Sequence, residues 1–401
     1  MQIVHFGIGN FARAHIAAHT DSLEDWHILG VSLRSSTVRD GLKAQGFQYR
    51  LAVQGQAPRI IDTVRNVLVA PEDPDAVLAS LREPETQVIS ATVTEKGYHL
   101  NADGSLNLTA PDIEHDLQSA VPRSIIGYLA YGLAKRDDPV TVLCCDNRLE
   151  NGLTLENAVK TFAEAAGLRL PWSTLSFPNT MVDRITPATQ EADRMRYQDP
   201  MVVCCEPFSE WVIEDRFAGA KPNWPGVQWV SEVAPHEMRK LRLLNGAHSY
   251  LAYAGILAGH SYVHEAIGDP ILRQGARDLM AEASLTLPQS VQDQADSYAK
   301  SLIERFENPL LRHALIQIAM DGSQKIPYRW GDSLKALQDM RAPRPALSAA
   351  FEAWCAFCKS EIEAEQPLND PLNDEISKAL SREVPRDALA ALVNVEPDWL
   401  V

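Results

Sequence analysis

The chain has no run approaching the roughly eighteen uninterrupted apolar residues that a spanning helix needs, so a membrane span is not expected. It also lacks an excess of basic charge: 37 Lys and Arg stand against 53 Asp and Glu, a formal net charge of -16. That balance argues against nucleic acid or an anionic membrane as the main partner, since both need a cationic surface. A small anionic substrate held by a few local cations stays open. No signal-peptide layout precedes the first strand pattern, "MQIVHFGIGNF", and the cytoplasm is the expected compartment. There is no internal repeat and no low-complexity segment. No closed set of His, Cys and Asp has ligand spacing, so no metal is expected.

Cysteine is scarce and oddly placed. The six fall in three close pairs, Cys144 with Cys145, Cys204 with Cys205, and Cys355 with Cys358. Adjacent cysteines on a strand point to opposite faces and bridge poorly. Cys355 and Cys358 form a single C-x-x-C on a helical pattern; buried thiols are favoured there over a zinc or redox site.

What is present is an ordinary globular composition, 45% hydrophobic and 22% charged, over 401 residues. That length supports two or three domains. The first half alternates strand patterns ("QIVHFGIG", "WHILGVSLR", "QVISATVTE", "VTVLCCDN") with helical ones, the first of these from Phe11 to about Leu23. Alternation of this kind argues for a mostly parallel sheet covered on both faces. "FQYRLAV" and "RIIDTVRNVLVA" read as a β insertion. From about Ala234 helical periodicity takes over, with helices expected at 236–259, 269–286, 291–306, 309–320, 344–360 and 386–395. The expected fold is therefore α/β, a Rossmann-type domain over 1–233 followed by an all-helical substrate and catalytic domain over 234–401.

Gly7-Ile8-Gly9-Asn10-Phe11-Ala12 fits G-x-G-x-x-G/A directly after the first strand. Glycines there permit a tight turn and the close approach of a pyrophosphate, so Gly7, Gly9, Asn10 and Phe11 are candidate dinucleotide contacts. The second strand lacks the acid that usually holds the adenosine ribose. Arg34, Ser35 and Ser36 stand there instead, and Asp40 is the next acid. Arg34 with Ser35 suits a 2′-phosphate, or Arg34 stacks on adenine while the serines meet ribose hydroxyls; NAD and NADP both stay open.

"KLRLLNGAHSYLAYAGILAGH", from Lys240, is apolar nearly all round yet carries Lys240, Asn245 and His248. On a regular helix of about 100° per residue, with Lys240 at zero, Glu237 falls near roughly 60°, His248 near 80° and Asn245 near 140°. The polar groups thus share one stripe. Lys240 and His248 are roughly 12 Å apart along the axis, which suits a multi-carbon substrate lying along the helix. Singly, each residue reads as a snorkelling lysine, a packing amide or a satisfied core histidine. Together, just past a domain junction and behind a dinucleotide loop, they read as catalytic.

K-x-x-x-x-N-x-x-H, as Lys240, Asn245 and His248, resembles the signature of the polyol-specific long-chain dehydrogenases, the mannitol dehydrogenase family. So do "GIGNFARAH" at 7–15, "TEKGY" at 94–98, "CDNRLENG" at 145–152, "FPNTMVDRITP" at 177–187, "EPFSEWVIED" at 206–215 and "DGSQKIP" at 321–327. These segments run through the chain in order. The resemblance implies a metal-independent oxidoreductase that interconverts ketoses and alcohols with a nicotinamide cofactor. It implies Lys240 as general acid/base, Asn245 and Asn147 as donors to the alkoxide oxygen, and His248 on a substrate hydroxyl. It further implies Thr94 and Glu95 near the cofactor, and Asp183 and Lys325 near the substrate. A free lysine has a pKa of about 10.4, so the role requires desolvation or a nearby cation. Glu237, one turn earlier, reads either as a proton conduit or as a surface carboxylate.

Mannitol-oxidising members carry Arg eight residues and His five residues before the position of Lys325. Here Gln317 and Met320 stand there, and "QIAMDGSQK" looks like the fructuronate reductase (mannonate oxidoreductase) branch, whose sugar-acid carboxylate Lys325 could face. The expected partner is a small polyol or sugar acid, D-mannonate/D-fructuronate before mannitol/fructose or arabinitol/xylulose. NAD is the expected cofactor, with NADP as the alternative. A monomer is the working expectation, with assembly left open. The runner-up from another class is a non-catalytic nucleotide-binding module, against which the intact Lys240, Asn245 and His248 speak.

Overall fold

The computed structural model describes residues 1–101 and 103–400, apart from the side chain of Glu95. The chain divides into two compact units, Met1–Ala234 and Pro235–Val401.

The first unit is built on a six-stranded, wholly parallel sheet. Its order is Val64–Val69, His27–Ser32, Gln2–Phe6, Thr86–Ala91, Val140–Cys144, Leu175–Ser176. In chain order that is 3-2-1-4-5-6, the dinucleotide-binding arrangement of the Rossmann fold. Neighbouring residues of the central strand serve opposite faces. Val4 and Phe6 join a core with Val77, Leu81, Leu129 and Phe162. Ile3 and Ile8 join a second core with Ile16, Trp26, Trp211 and Trp224. Both faces are thus covered, which explains why these strands read as continuous apolar runs.

Two differences from the sequence expectation have physical causes. Val64–Val69 is not part of an insertion: it pairs with His27–Ser32 as the third strand of the main sheet. The insertion is limited to Tyr49–Val53, paired antiparallel with Arg59–Ile61 and parallel with Val203–Cys205. The helix expected from Phe11 is two short pieces, Asn10–Ala14 and Ile16–Thr20, broken at His15 (φ -112°, ψ -91°). His15 sits in a ring cluster, 5.0 Å from Phe11 and 4.6 Å from Trp211 between centroids. Aromatic packing competes with helical regularity there.

The second unit is helical. Gly246–Leu257 runs through its centre, buried along most of its length, and packs against Pro270–Ser284, Leu315–Ala319 and Pro345–Glu363. A helix apolar on every side belongs in such a core. Asp269 caps Pro270–Ser284, accepting from the Ile271 (2.8 Å) and Leu272 (3.3 Å) N–H groups. The helix expected over 309–320 is only Leu315–Ala319. Helices at Gly322–Ile326, Asp332–Asp339 and Asn373–Leu380 escaped the periodicity reading. Among the described residues no helix is long and apolar enough to cross a membrane.

Candidate active site

In the first unit, the expected cofactor residues gather at one edge. Phe6, Ser32, Ala91 and Cys144 end adjacent parallel strands. Gly7, Arg34 and Ser35, Thr94 and Asn147 follow those ends. The first and fourth strands run apart in connection at this point, and that carboxyl-edge switch is where open α/β sheets bind ligands. Asp183 is not part of this group; it ends Thr180–Asp183 in a separate three-stranded sheet, where it is buried.

The glycine turn fits a dinucleotide by its geometry. Gly7 has φ +93°, and a Cβ there would sit 2.1 Å from the Thr92 carbonyl oxygen. A Cβ on Gly9 would meet nothing within 4 Å, so the turn opens outward beside it. The turn is held from behind by an element sequence reasoning missed. The Thr92 hydroxyl donates to the Gly7 carbonyl (2.9 Å) and lies 2.9 Å from His5 Nε2, while His5 Nδ1 lies 2.8 Å from the Ser90 hydroxyl. With its one proton spent on Gly7, Thr92 accepts from Nε2–H, and Ser90 donates to the bare Nδ1. Full burial pushes the His5 pKa down to about 4, so the relay is neutral at neutral pH. The signal was available: His5 is the single ionisable residue of the strand Gln2–Phe6 and stands between apolar neighbours.

Asn10 is tied on both amide ends, donating to Thr189 Oγ1 (3.0 Å) and accepting from Arg13 (2.7 Å). Phe11 stacks on His15. Arg34 and Ser35 are exposed. Nearby, Arg39 bridges Asp40 (2.6 Å) and Glu72 (2.8 Å), and hydrogen bonds from Ser36 and Arg39 hold the Asp40 carboxyl below its usual range. The Glu95 side chain lies outside the described residues.

Thr94 adopts φ +68° and ψ 159°, a region almost confined to glycine, at a cost of order 1–3 kcal/mol. Asp146, beside Asn147, supports it: its carboxylate accepts from the Val93 (2.9 Å) and Thr94 (3.2 Å) N–H groups and from the Tyr98 hydroxyl (2.6 Å). Burial raises the Asp146 pKa against these bonds. The loop after the fourth strand and the exposed Asn147 after the fifth are thereby fixed to each other.

In the second unit, Glu237, Lys240 and His248 are buried and Asn245 is half-buried. The helix that carries them is not regular. Ala234–Arg239 is α-helical, Lys240–Asn245 is a π-turn, and Gly246–Leu257 is α-helical again. The Gly246 N–H reaches the Leu241 carbonyl, five residues back. An i→i+5 turn brings residues five apart toward one face, so the roughly 140° between Lys240 and Asn245 on a regular wheel narrows. The stripe is tighter than a 3.6-residue period predicts. Nothing in the composition marks the extra residue.

His248 is gripped by the Phe306 ring (4.6 Å between centroids) and the edge of His313 (5.5 Å). Burial first, then His313, Arg305 and Arg329, push its pKa well below the usual value. A neutral imidazole donates from one nitrogen and accepts at the other, as a hydroxyl partner requires. Lys325 is engaged by its own segment, donating to the Ile318 and Met320 carbonyls and standing 3.8 Å from Asp321. Cys355 and Cys358 lie on Pro345–Glu363, and burial pushes both thiols upward, Cys355 to about 12. Among the described residues no three His, Cys, Asp or Glu side chains form a metal-binding group.

A Rossmann sheet with a glycine turn at its switch point, followed by a helical unit with a Lys-Asn-His stripe whose lysine and histidine are buried, defines a dehydrogenase of two units. The mannitol dehydrogenase Rossmann domain matches residues 1–226, and the mannitol dehydrogenase C-terminal domain matches 232–398. D-mannonate oxidoreductase of Escherichia coli is 41% identical over 366 residues, 83% of this chain and 75% of that protein. Mannitol 2-dehydrogenase of Pyrenophora tritici-repentis is 39% identical over 390 residues, 89% of this chain and 69% of that one. The solved Pseudomonas fluorescens mannitol 2-dehydrogenase, a ternary complex with NAD and D-mannitol, is 31% identical with a TM-score of 0.80, covering 100% of this chain and 87% of that one. The chain belongs to the mannitol dehydrogenase family and is an oxidoreductase.

Proposed function

We propose that the enzyme interconverts D-mannonate and D-fructuronate with NAD(H). The observation that carries the chemistry is the stripe of buried Lys240, half-buried Asn245 and buried His248, which begins on the π-turn Lys240–Asn245 and ends in the first turn of the helix after it. The cofactor, held by the Gly7–Gly9 turn with Asn10, Phe11, Arg34, Ser35, Thr94 and Glu95 about it, supplies the hydride acceptor. As the alcohol is oxidised, the Lys240 amine takes the O–H proton. The step needs that amine neutral when the proton leaves the alcohol. The Asn245 amide meets the charge on the oxygen, with Asn147 read as a second donor. His248 holds a further hydroxyl, and Glu237 passes the proton toward solvent. Asp183 and Lys325 are read as substrate contacts, which for Lys325 means exchanging carbonyl partners for a carboxylate.

The substrate choice rests on Gln317 and Met320 and on the likeness to D-mannonate oxidoreductase. Mannitol/fructose is the second reading, favoured by the likeness to the mannitol complex. Steady-state rates with fructuronate, tagaturonate, fructose and xylulose separate them: kcat/KM should be highest for fructuronate, and a preference for fructose overturns the choice. The working compartment is the cytoplasm and the working assembly a monomer.

Because proton transfer is assigned to lysine, prolonged EDTA treatment should leave turnover intact. Activity lost on chelation and restored by zinc would move the reaction to another mechanism. Arg34 tests cofactor choice. NADH should be the better substrate, with NADPH tolerated, since no acid stands at that position to repel a 2′-phosphate. If Arg34 binds the phosphate, Arg34→Ala raises KM for NADPH far more than for NADH, by the about 1.5–3 kcal/mol of a charge-assisted bond. Equal weakening of both assigns it to adenine stacking.

A further inference from the structure

A second π-turn, Pro327–Gly331, packs against the π-turn Lys240–Asn245. Its own i→i+5 bond runs from the Asp332 N–H to the Pro327 carbonyl. Two side chains of this turn reach the end of the first and the opening turn of the helix that follows it. Arg329 Nη1 donates to the Ser249 hydroxyl (2.6 Å) and to the Asn245 carbonyl (3.3 Å). The buried Trp330 indole N–H donates to the Gly246 carbonyl (3.1 Å). The acceptors bracket His248: residues 245 and 246 precede it and 249 follows.

A π-turn interrupts the i→i+4 ladder, and the wider backbone needs support from outside the helix. Ser249 is fully buried, and its hydroxyl is met by the guanidinium. Arg329 is itself half-buried, a costly place for a cation that has no function beyond solubility. We propose that Arg329 is a positioning residue for catalysis: it locks the turn that aims Asn245 and His248, without touching substrate or cofactor. The proposal rests on the roles given above to Lys240, Asn245 and His248. A misplacement of about 1 Å in a catalytic group is enough to cost on the order of 10²-fold in rate.

The test compares Arg329→Met, Arg329→Lys and Ser249→Ala. One nitrogen makes both Arg329 bonds, so a lysine amine can replace it. Arg329→Met should lower kcat about 10- to 100-fold, with NADH Kd unchanged by fluorescence titration. The primary isotope effect on kcat with deuterated NADH should rise, as the hydride step becomes slower. Arg329→Lys should recover most of the rate. If Arg329→Met fails to fold, Ser249→Ala decides, with a smaller loss of kcat at normal Tm expected. Wild-type kcat and isotope effect in Arg329→Met, or in a folded Ser249→Ala when the first variant cannot be studied, overturns the proposal. So does a folded Arg329→Lys that is as slow as Arg329→Met. Lys240→Ala, assayed alongside, separates the two readings: near-normal turnover there refutes the lysine assignment whatever Arg329 does.

Discussion

Lys240→Ala should lower kcat by roughly 10²–10⁴, the scale for losing a general acid/base, while NADH affinity stays near wild type. The contrast follows from where the groups lie. The glycine turn, the His5 relay and the Thr94 loop are all in Met1–Ala234, whereas Lys240 is in Pro235–Val401. The substitution also truncates a buried side chain, so some loss of stability accompanies it. Lys240→Met keeps more of the stem and separates the two effects. It should be as inactive as alanine with a higher Tm. Near-normal kcat in either variant at neutral pH would remove lysine from the chemistry.

Gly7→Ala should have the other large effect, on binding. At φ +93° an alanine costs about 1–3 kcal/mol, which alone corresponds to roughly 5- to 150-fold in affinity if the turn is forced out of shape. Its Cβ would also press to 2.1 Å from a backbone oxygen, at Thr92, which a side-chain rotation cannot relieve. The turn must therefore move off the fourth strand and lose the Thr92–Gly7 bond. NADH Kd should rise by at least about tenfold, read by fluorescence titration, with Tm lowered. An unchanged Kd would show that the cofactor does not approach this turn.

How much of this was visible in the sequence differs between the units. The Rossmann half was legible because its evidence is local: a glycine turn after a strand, and buried strands that read as apolar runs. What escaped there was pairing over distance. Val64–Val69 looked like part of an insertion because nothing in "VRNVLV" names its neighbour, His27–Ser32. In the helical unit the Lys240, Asn245 and His248 stripe was legible as polar residues in an apolar segment. Its true geometry was not, because a wheel assumes one period and the π-turn inserts a residue. Arg329 and Trp330, 84 residues from Asn245 and Gly246, were invisible for the same reason as the third strand. Asn373–Leu380 was missed because only Ile376 and Ala379 are buried in it, too few for a periodic signal.

The central claim is tested most directly by following NADH absorbance as EDTA-treated enzyme meets D-fructuronate, with the alcohol product quantified in parallel. One NADH should be consumed for each D-mannonate formed by wild type, and Lys240→Ala should show almost no turnover while still binding NADH. No NADH oxidation with fructuronate, tagaturonate, fructose or xylulose, or equal rates in Lys240→Ala, would contradict the account.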